Sequence, residues 1–170
     1  KILAGSNLFD IEEKINSSYL INDCSYIECL DSDFPYLEGI LYPDTYFYKK
    51  RMNASDILNK SSKRMSVFIK SLPLNNNSTL SKNELLILAS IIEKEAGNNI
   101  EKAKIAGVFL KRISINMKLQ ADPTIIYGLL PNFDGDIKKS DILNKNNKYN
   151  TYMIKGLPPS PIAVSSRSSI

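Results

Sequence analysis

Apolar residues recur along this chain mostly at helical spacing, in blocks parted by polar or proline-containing stretches. "SNLFDIEEKI" (Ser6 to Ile15) predicts a short amphipathic helix with Ser6 or Asn7 as cap, and Asp23 to Leu30 reads as a further helical piece. From Asn53, the residues Ile57, Met65, Phe68, Ile69 and Leu72 share a helix that stops before Pro73. "LNNNST" (Leu74 to Thr79) is a polar loop. Ser81, with Glu84 three residues on, makes a capping box that opens a helix through "LASIIEKEAG" to Gly97, a suitable C′ residue.

Ile100 to Met117 is a second amphipathic helix, with Lys102 to Lys104 and Lys111-Arg112 as its solvated face. Asp122-Pro123 reads as a cap followed by proline at the first helical position, starting a short helix to Gly128. Ser140-Asp141 starts another short turn. "FPYLEGILYPDTYFY" (Phe34 to Tyr48) is broken by Pro35, Gly39 and Pro43 and predicts a loop with short extended pieces. Within it Phe47 is a core candidate, and the alternating Tyr42, Tyr46 and Tyr48 give one exposed and one packed face. The proline-rich stretch Gly156 to Val164 predicts extended chain. Together these blocks predict a helix-rich α+β fold with a few short strands.

Composition sharpens this in one place. The chain has 170 residues and no histidine. Ser-His-Asp and Cys-His catalysis and every histidine metal site are thereby excluded, and acid–base chemistry falls to Asp, Glu, Lys, Tyr or Cys. The net charge of +4 is mild and its cations are interleaved with acids, which does not point to nucleic acid. Cys24 and Cys29 are too few for a disulfide scaffold or a zinc site; they read as ordinary part-buried thiols, a local disulfide being the alternative. No apolar run reaches the ~20 residues that span a bilayer. A start at Lys1 and a stop at "SSRSSI" read as a piece of a longer protein, whose other parts can carry an anchor.

The absence of histidine draws attention to Glu93 and Glu95. On a helical wheel, Leu85, Leu88, Ala89, Ile92 and Ala96 centre the apolar face, and the two glutamates fall on opposite flanks. Glu95 follows Leu88, Ile91 and Ile92; Glu93 follows Leu86, Ala89 and Ser90. Periodicity favours Glu95 only slightly over Glu93, and taken alone it reads the two as solvated or salt-bridged acids near a helix end.

Four segments in fixed order go further: "LEGILYPDTYFY" (Leu37 to Tyr48), "ELLILASIIEKEAG" (Glu84 to Gly97), "KIAGVFLKRISINMKLQADPTIIYG" (Lys104 to Gly128) and "YNTYMIKGLPPSPIA" (Tyr149 to Ala163). They closely resemble the YceG-like, MltG-type endolytic murein transglycosylases of bacteria. The resemblance implies residues 1–22 as the end of a small N-terminal, LysM-like region, and 23–170 as the catalytic domain, truncated at its C-terminus. It also implies an N-terminal membrane anchor, action on the extracytoplasmic side of the cytoplasmic membrane, peptidoglycan strands as substrate, and peptidoglycan synthases as candidate partners. Motif alignment points to Glu95 as the catalytic acid, with Glu93 as fallback.

Such an enzyme cleaves the MurNAc-β-1,4-GlcNAc bond without adding water and needs neither metal nor cofactor. One carboxyl serves as acid and then as base, where a hydrolase needs a second carboxylate, for which Glu38 and Asp44 are candidates. Gln120, Asp122, Thr124, Tyr127, Tyr149, Asn150, Thr151 and Tyr152 supply the amides, hydroxyls, carboxylate and rings of a sugar cleft. Each has a structural alternative: Asp122 as helix cap, Tyr127 as core, Asn150 and Thr151 as turn residues, Asp44-Thr45 as a turn after Pro43.

Overall fold

The computed structural model describes residues 1–73 and 79–170, so most of the polar loop expected over Leu74 to Thr79 lies outside the described residues. Its α-helices are α1 (Leu8–Asn16), α2 (Ala54–Ser71), α3 (Lys82–Glu95), α4 (Asn99–Ser114), α5 (Asp122–Leu129) and α6 (Lys139–Ile142). The fold is helix-rich. Where short strands were expected, the described residues hold two isolated β-bridges, Ile2–Asp44 and Ile21–Asn53.

Local chemistry explains most helix boundaries. Asn7 and Asp10 form a capping box for α1, and Ser81 and Glu84 form one for α3, satisfying backbone N–H groups with no partner in the helix. α2 ends at Ser71, two residues short of Pro73. Asp23 to Leu30 makes only a 3-10 turn, Ser25–Ile27. There Cys24 and Cys29 form a disulfide, which corrects the expectation of free thiols.

α3 is the central element. Leu86 to Ile92 are all buried, seven residues in succession, so its apolar surface is a full circumference and not one face. Leu88, Ile91 and Ile92 pack with Phe109 of α4, and with Leu119, Ala121 and Ile162. Leu86 packs with Met65 and Ile69 of α2. α1 joins Ile40, Leu41, Ala54, Leu58 and Val164 in a further cluster.

The segment from Ser160 to Ser165 is buried throughout and laces these parts together. Ile162 N–H donates to Ser90 Oγ at 3.0 Å, and Val164 exchanges backbone hydrogen bonds with Gly5 and Ser6. Gly39 permits this path: its φ is +74°, and a Cβ there would lie 2.5 Å from Pro161 Cβ and 2.9 Å from the Ala163 carbonyl.

Two core expectations change. Phe47 is 92% exposed, and the buried ring of its segment is Tyr46, whose hydroxyl donates to the Tyr42 carbonyl at 2.9 Å. Lys102 is buried, not solvated, because it reaches Glu93.

Candidate functional site

The two glutamates of α3 have different surroundings. Glu93 Oε2 receives the Ser166 hydroxyl at 2.6 Å, the Ser166 N–H at 3.0 Å, the Ser169 hydroxyl, and the Lys102 ammonium at 3.2 Å. Burial pushes its carboxyl up, but these donors outweigh burial and bring it below the ordinary value. Glu93 thus ties α3 to α4 and to residues 166–169.

Glu95 is the last residue of α3 and lines a cleft of about 270 Å³ with Gln120 and, from α4, Lys104, Ile105, Val108, Phe109 and Arg112. Glu95 remains exposed at the cleft, and partial loss of water around its side chain holds its carboxyl above the ordinary value. The Asp122 charge adds to the rise, and the Asp122 backbone N–H opposes it. Ala96, with φ −77° and ψ 125°, ends the helix in extended backbone. Gly97 follows without the left-handed φ that a glycine C′ often supplies.

Asp122 is not the cap of α5. Ala121 takes that position, Asp122 is the first helical residue, and its side chain is free to accept the Tyr152 hydroxyl at 2.7 Å. That hydrogen bond, followed by burial, pushes the Tyr152 phenol up to about 12. Gln120 sits just before this turn with φ +53°, a left-handed conformation uncommon outside glycine. Its N–H donates to the Thr151 carbonyl at 3.2 Å, and the Arg112 guanidinium donates to the carbonyl of Leu119 beside it.

Beneath these residues lies a buried polar frame. Thr124 Oγ1 and Thr151 Oγ1 are 2.9 Å apart; the Thr124 hydroxyl also donates to the Ala121 carbonyl, and Ala121 N–H donates to Thr151 Oγ1. Asn150 Nδ2 donates to the carbonyls of Asp141, Ile142 and Asn144 at 3.0 to 3.1 Å, while its Oδ1 accepts the Tyr152 N–H. Thr124, Asn150 and Thr151 have no exposed surface. They hold the Asp122 and Tyr152 turns against each other.

Tyr127 and Tyr149 meet edge to face, with centroids 4.7 Å apart, and line a separate hollow of about 350 Å³ with Phe9, Leu130, Asn146 and Lys148. The Tyr149 hydroxyl lies 2.8 Å from Ser160 Oγ. Burial, then the neighbouring Glu38, raises the Tyr127 phenol. Glu38 is itself buried: it accepts the N–H groups of Leu8, at the start of α1, and Gly39, at 2.9 and 2.8 Å. Burial lifts its carboxyl to about 7 against these donors. Asp44 pairs with Arg64 at 2.7 Å and accepts the Thr45 N–H, so it serves a turn.

The structure therefore brings Glu95 and Gln120 into one cleft, joins Asp122, two residues on from Gln120, to Tyr152, and sets Tyr127, Tyr149 and Glu38 apart from them. Lys104 and Arg112 are cleft residues that sequence reasoning placed on a solvated face. Their spacing with Val108, four residues each way along α4, puts the three on one side of the helix, but nothing in the sequence says that this side faces Glu95.

Comparison with known proteins adds to this geometry. The family model described as "YceG-like family" matches residues 1–170. The chain is 36% identical over 135 residues to an endolytic murein transglycosylase of Bacillus subtilis, covering 78% of this chain and 37% of that protein. It is 31% identical over 133 residues to one of Streptococcus pneumoniae, covering 74% of this chain and 24% of that protein. The chain thus spans well under half the length of these relatives. The crystal structure of a YceG-like protein of Listeria monocytogenes superposes with a TM-score of 0.78 at 30% identity, over 99% of this chain and 63% of that one.

Proposed function

The chain belongs to the YceG-like family, and on that premise we propose that it is the catalytic part of an endolytic murein transglycosylase, with Glu95 as both acid and base. The observation that carries this reading is the contrast between the glutamates. Glu95 lines a cleft with its carboxyl held up, as a proton donor requires, whereas Glu93 is tied down by four donors.

In the first step the Glu95 carboxyl gives its proton to the glycosidic oxygen, and the bond from MurNAc C1 to that oxygen breaks. The MurNAc C6 hydroxyl then attacks C1, and its proton passes to the Glu95 carboxylate. A 1,6-anhydro ring closes, no water is consumed, and the acid is restored for the next turnover. Gln120, Asp122 and Tyr152 are the polar groups best placed to meet the sugar around Glu95, and Lys104 and Arg112 offer cationic contacts. Thr124, Thr151 and Asn150 act from beneath. The rings of Tyr127 and Tyr149 suit the apolar faces of a sugar farther along the strand.

This reading places the reaction on nascent peptidoglycan at the extracytoplasmic face of the membrane, beside the synthases that make it. The Cys24–Cys29 disulfide suits an oxidising compartment. Among the described residues no helix is long and apolar enough to cross a membrane, so an anchor would lie elsewhere in the protein. Residues 1–22 are read as the end of a preceding LysM-like region.

The test is mass spectrometry of products from purified glycan strands. Internal cuts ending in 1,6-anhydroMurNAc are expected, and are lost with Glu95→Gln. Reducing ends would instead show a hydrolase, and binding without cleavage would show a glycan-binding module; either result overturns the proposal.

A further inference from the structure

α4 turns one side to the cleft that Glu95 lines. Lys104, Val108 and Arg112 stand four residues apart and form one row on the helix, with Ile105 beside them. The row is cationic at both ends and apolar between, and its ends lie about 12 Å apart along the axis. Phe109 also lines the cleft but is buried against α3, whereas Val108 is 51% exposed, so the apolar middle of the row is bare.

Both cations are available to a ligand. Among the described residues neither Lys104 nor Arg112 pairs with a carboxylate. Glu101, one turn before Lys104, is occupied by the Gly97 N–H and the Asn98 side-chain amide. The Arg112 guanidinium donates to the Leu119 carbonyl, which fixes its direction and leaves it further N–H donors.

The sugar rings of a peptidoglycan strand carry no charge. Negative charge near the reacting bond comes from the lactyl group on O3 of MurNAc, the ring whose C1–oxygen bond breaks. On a denuded strand this group ends in a carboxylate, a single charge on a short stalk. On a peptide-bearing strand the same carboxyl is an amide; an alanine methyl follows, and free carboxylates come after it. A lone carboxylate uses one end of the α4 row and leaves Val108 bare. The order carbonyl, methyl, carboxylate matches the order Arg112, Val108, Lys104.

We propose that this row of α4 seats the stem peptide of the MurNAc being cut, and that the enzyme thereby selects peptide-bearing over denuded strands. Arg112 donates to the lactyl carbonyl, the alanine methyl lies on Val108 and Ile105, and Lys104 pairs with a peptide carboxylate. The proposal rests on the reading of Glu95 as the acid, which puts the MurNAc ring in this cleft.

The experiment compares the full chain with its Lys104→Gln, Lys104→Arg and Val108→Asp variants on two readouts. The first is the ratio of kcat/KM on peptide-bearing strands to that on denuded strands. The second is calorimetric binding of N-acetylmuramoyl peptide against N-acetylmuramic acid, neither of which has a glycosidic bond to cut. The unsubstituted chain is expected to favour the peptide-bearing partner in both. Lys104→Gln lowers each preference by about tenfold, as loss of one charge-assisted hydrogen bond does, chiefly through KM. Lys104→Arg restores it, and Val108→Asp, which sets a like charge in the row, lowers it further. A preference for denuded strands that Lys104→Gln removes would show that the cation reads the lactyl carboxylate, and would overturn the proposal. Preferences equal in all four proteins would overturn it too. If the unsubstituted chain cut no strands, the transglycosylase reading would fall, and the binding readout would decide the peptide site by itself.

Discussion

The Lys102 ammonium lies 3.2 Å from the Glu93 carboxylate, and both side chains are nearly buried. A glutamate two residues from the candidate acid is therefore part of the fold's internal wiring. Glu93→Gln leaves the Lys102 charge uncompensated and weakens the hydroxyl contacts of Ser166 and Ser169. A loss of about 3 kcal/mol is expected. Glu95→Gln should change stability by no more than about 0.5 kcal/mol, as a cleft-lining substitution does. Urea unfolding of the two variants measures the difference; equal losses would refute the division of labour between the glutamates.

Glu38 should make stability fall with rising pH. Its carboxyl goes from the ordinary 4.5 when unfolded to about 7 when folded, so between these values the folded state binds more protons than the unfolded. The stabilisation from this group is complete below pH 4.5 and is lost as pH rises through about 7. Its size is on the order of 3 kcal/mol. Glu38→Gln should flatten this part of the stability curve relative to wild type, as followed by urea midpoints across the range. An unchanged slope would show that Glu38 titrates normally in the fold.

The disulfide closes a loop of only a few residues, Cys24 to Cys29. Chain entropy gives such a loop about 2 kcal/mol. Replacing both cysteines by serine should lower Tm by about 4 to 8 °C, read by calorimetry. A drop confined to the single variants, absent from the double, would mean that the stray thiol and not the lost bridge is responsible.

Asn150 and Gln120 should separate structure from contact. Asn150→Ala strands three backbone carbonyls behind a buried cavity and should cost about 2 to 4 kcal/mol. Gln120→Ala removes an exposed cleft side chain from a left-handed backbone position and should act chiefly on the kinetics of strand cleavage. A Gln120→Ala variant with unaltered kinetics would remove that residue from the substrate contacts.

What the sequence made legible was chemistry between near neighbours. The Ser81–Glu84 capping box, a cap at Ser6 or Asn7 and the stop before Pro73 depend on groups within four residues, and they were readable from the order of side chains. The wheel separated the glutamates poorly because it assumes one buried face, while α3 is enclosed all round from Leu86 to Ile92. Lys102 looked like solvated surface because its partners, Glu93 and Ser166, are 9 and 64 residues away. Phe47 and Tyr46 exchanged their expected places because Tyr46 finds the Tyr42 carbonyl for its hydroxyl, a bond that no hydrophobic pattern encodes. The candidate cleft was half visible. Motif order supplied Glu95, Gln120, Asp122 and Tyr152, and only packing shows that Lys104 and Arg112 join them while Thr124, Asn150 and Thr151 lie underneath.

The lacing of residues 160–169 onto α3 and onto Gly5 and Ser6 bears on how the molecule comes into being. The Ser90 and Glu93 side chains bond across separations of 72 to 76 residues, and Val164 bonds to positions near residue 5. Such distant pairings close late, since long loops must be ordered before their contacts repay the entropy. A nascent chain lacking residues 160–169 would present α3 with its polar anchors unmet and α1 without its Val164 neighbour. The helix that ends at Glu95 is thus anchored by a segment far along the chain, so the cleft wall it forms depends on residues that do not themselves line the cleft.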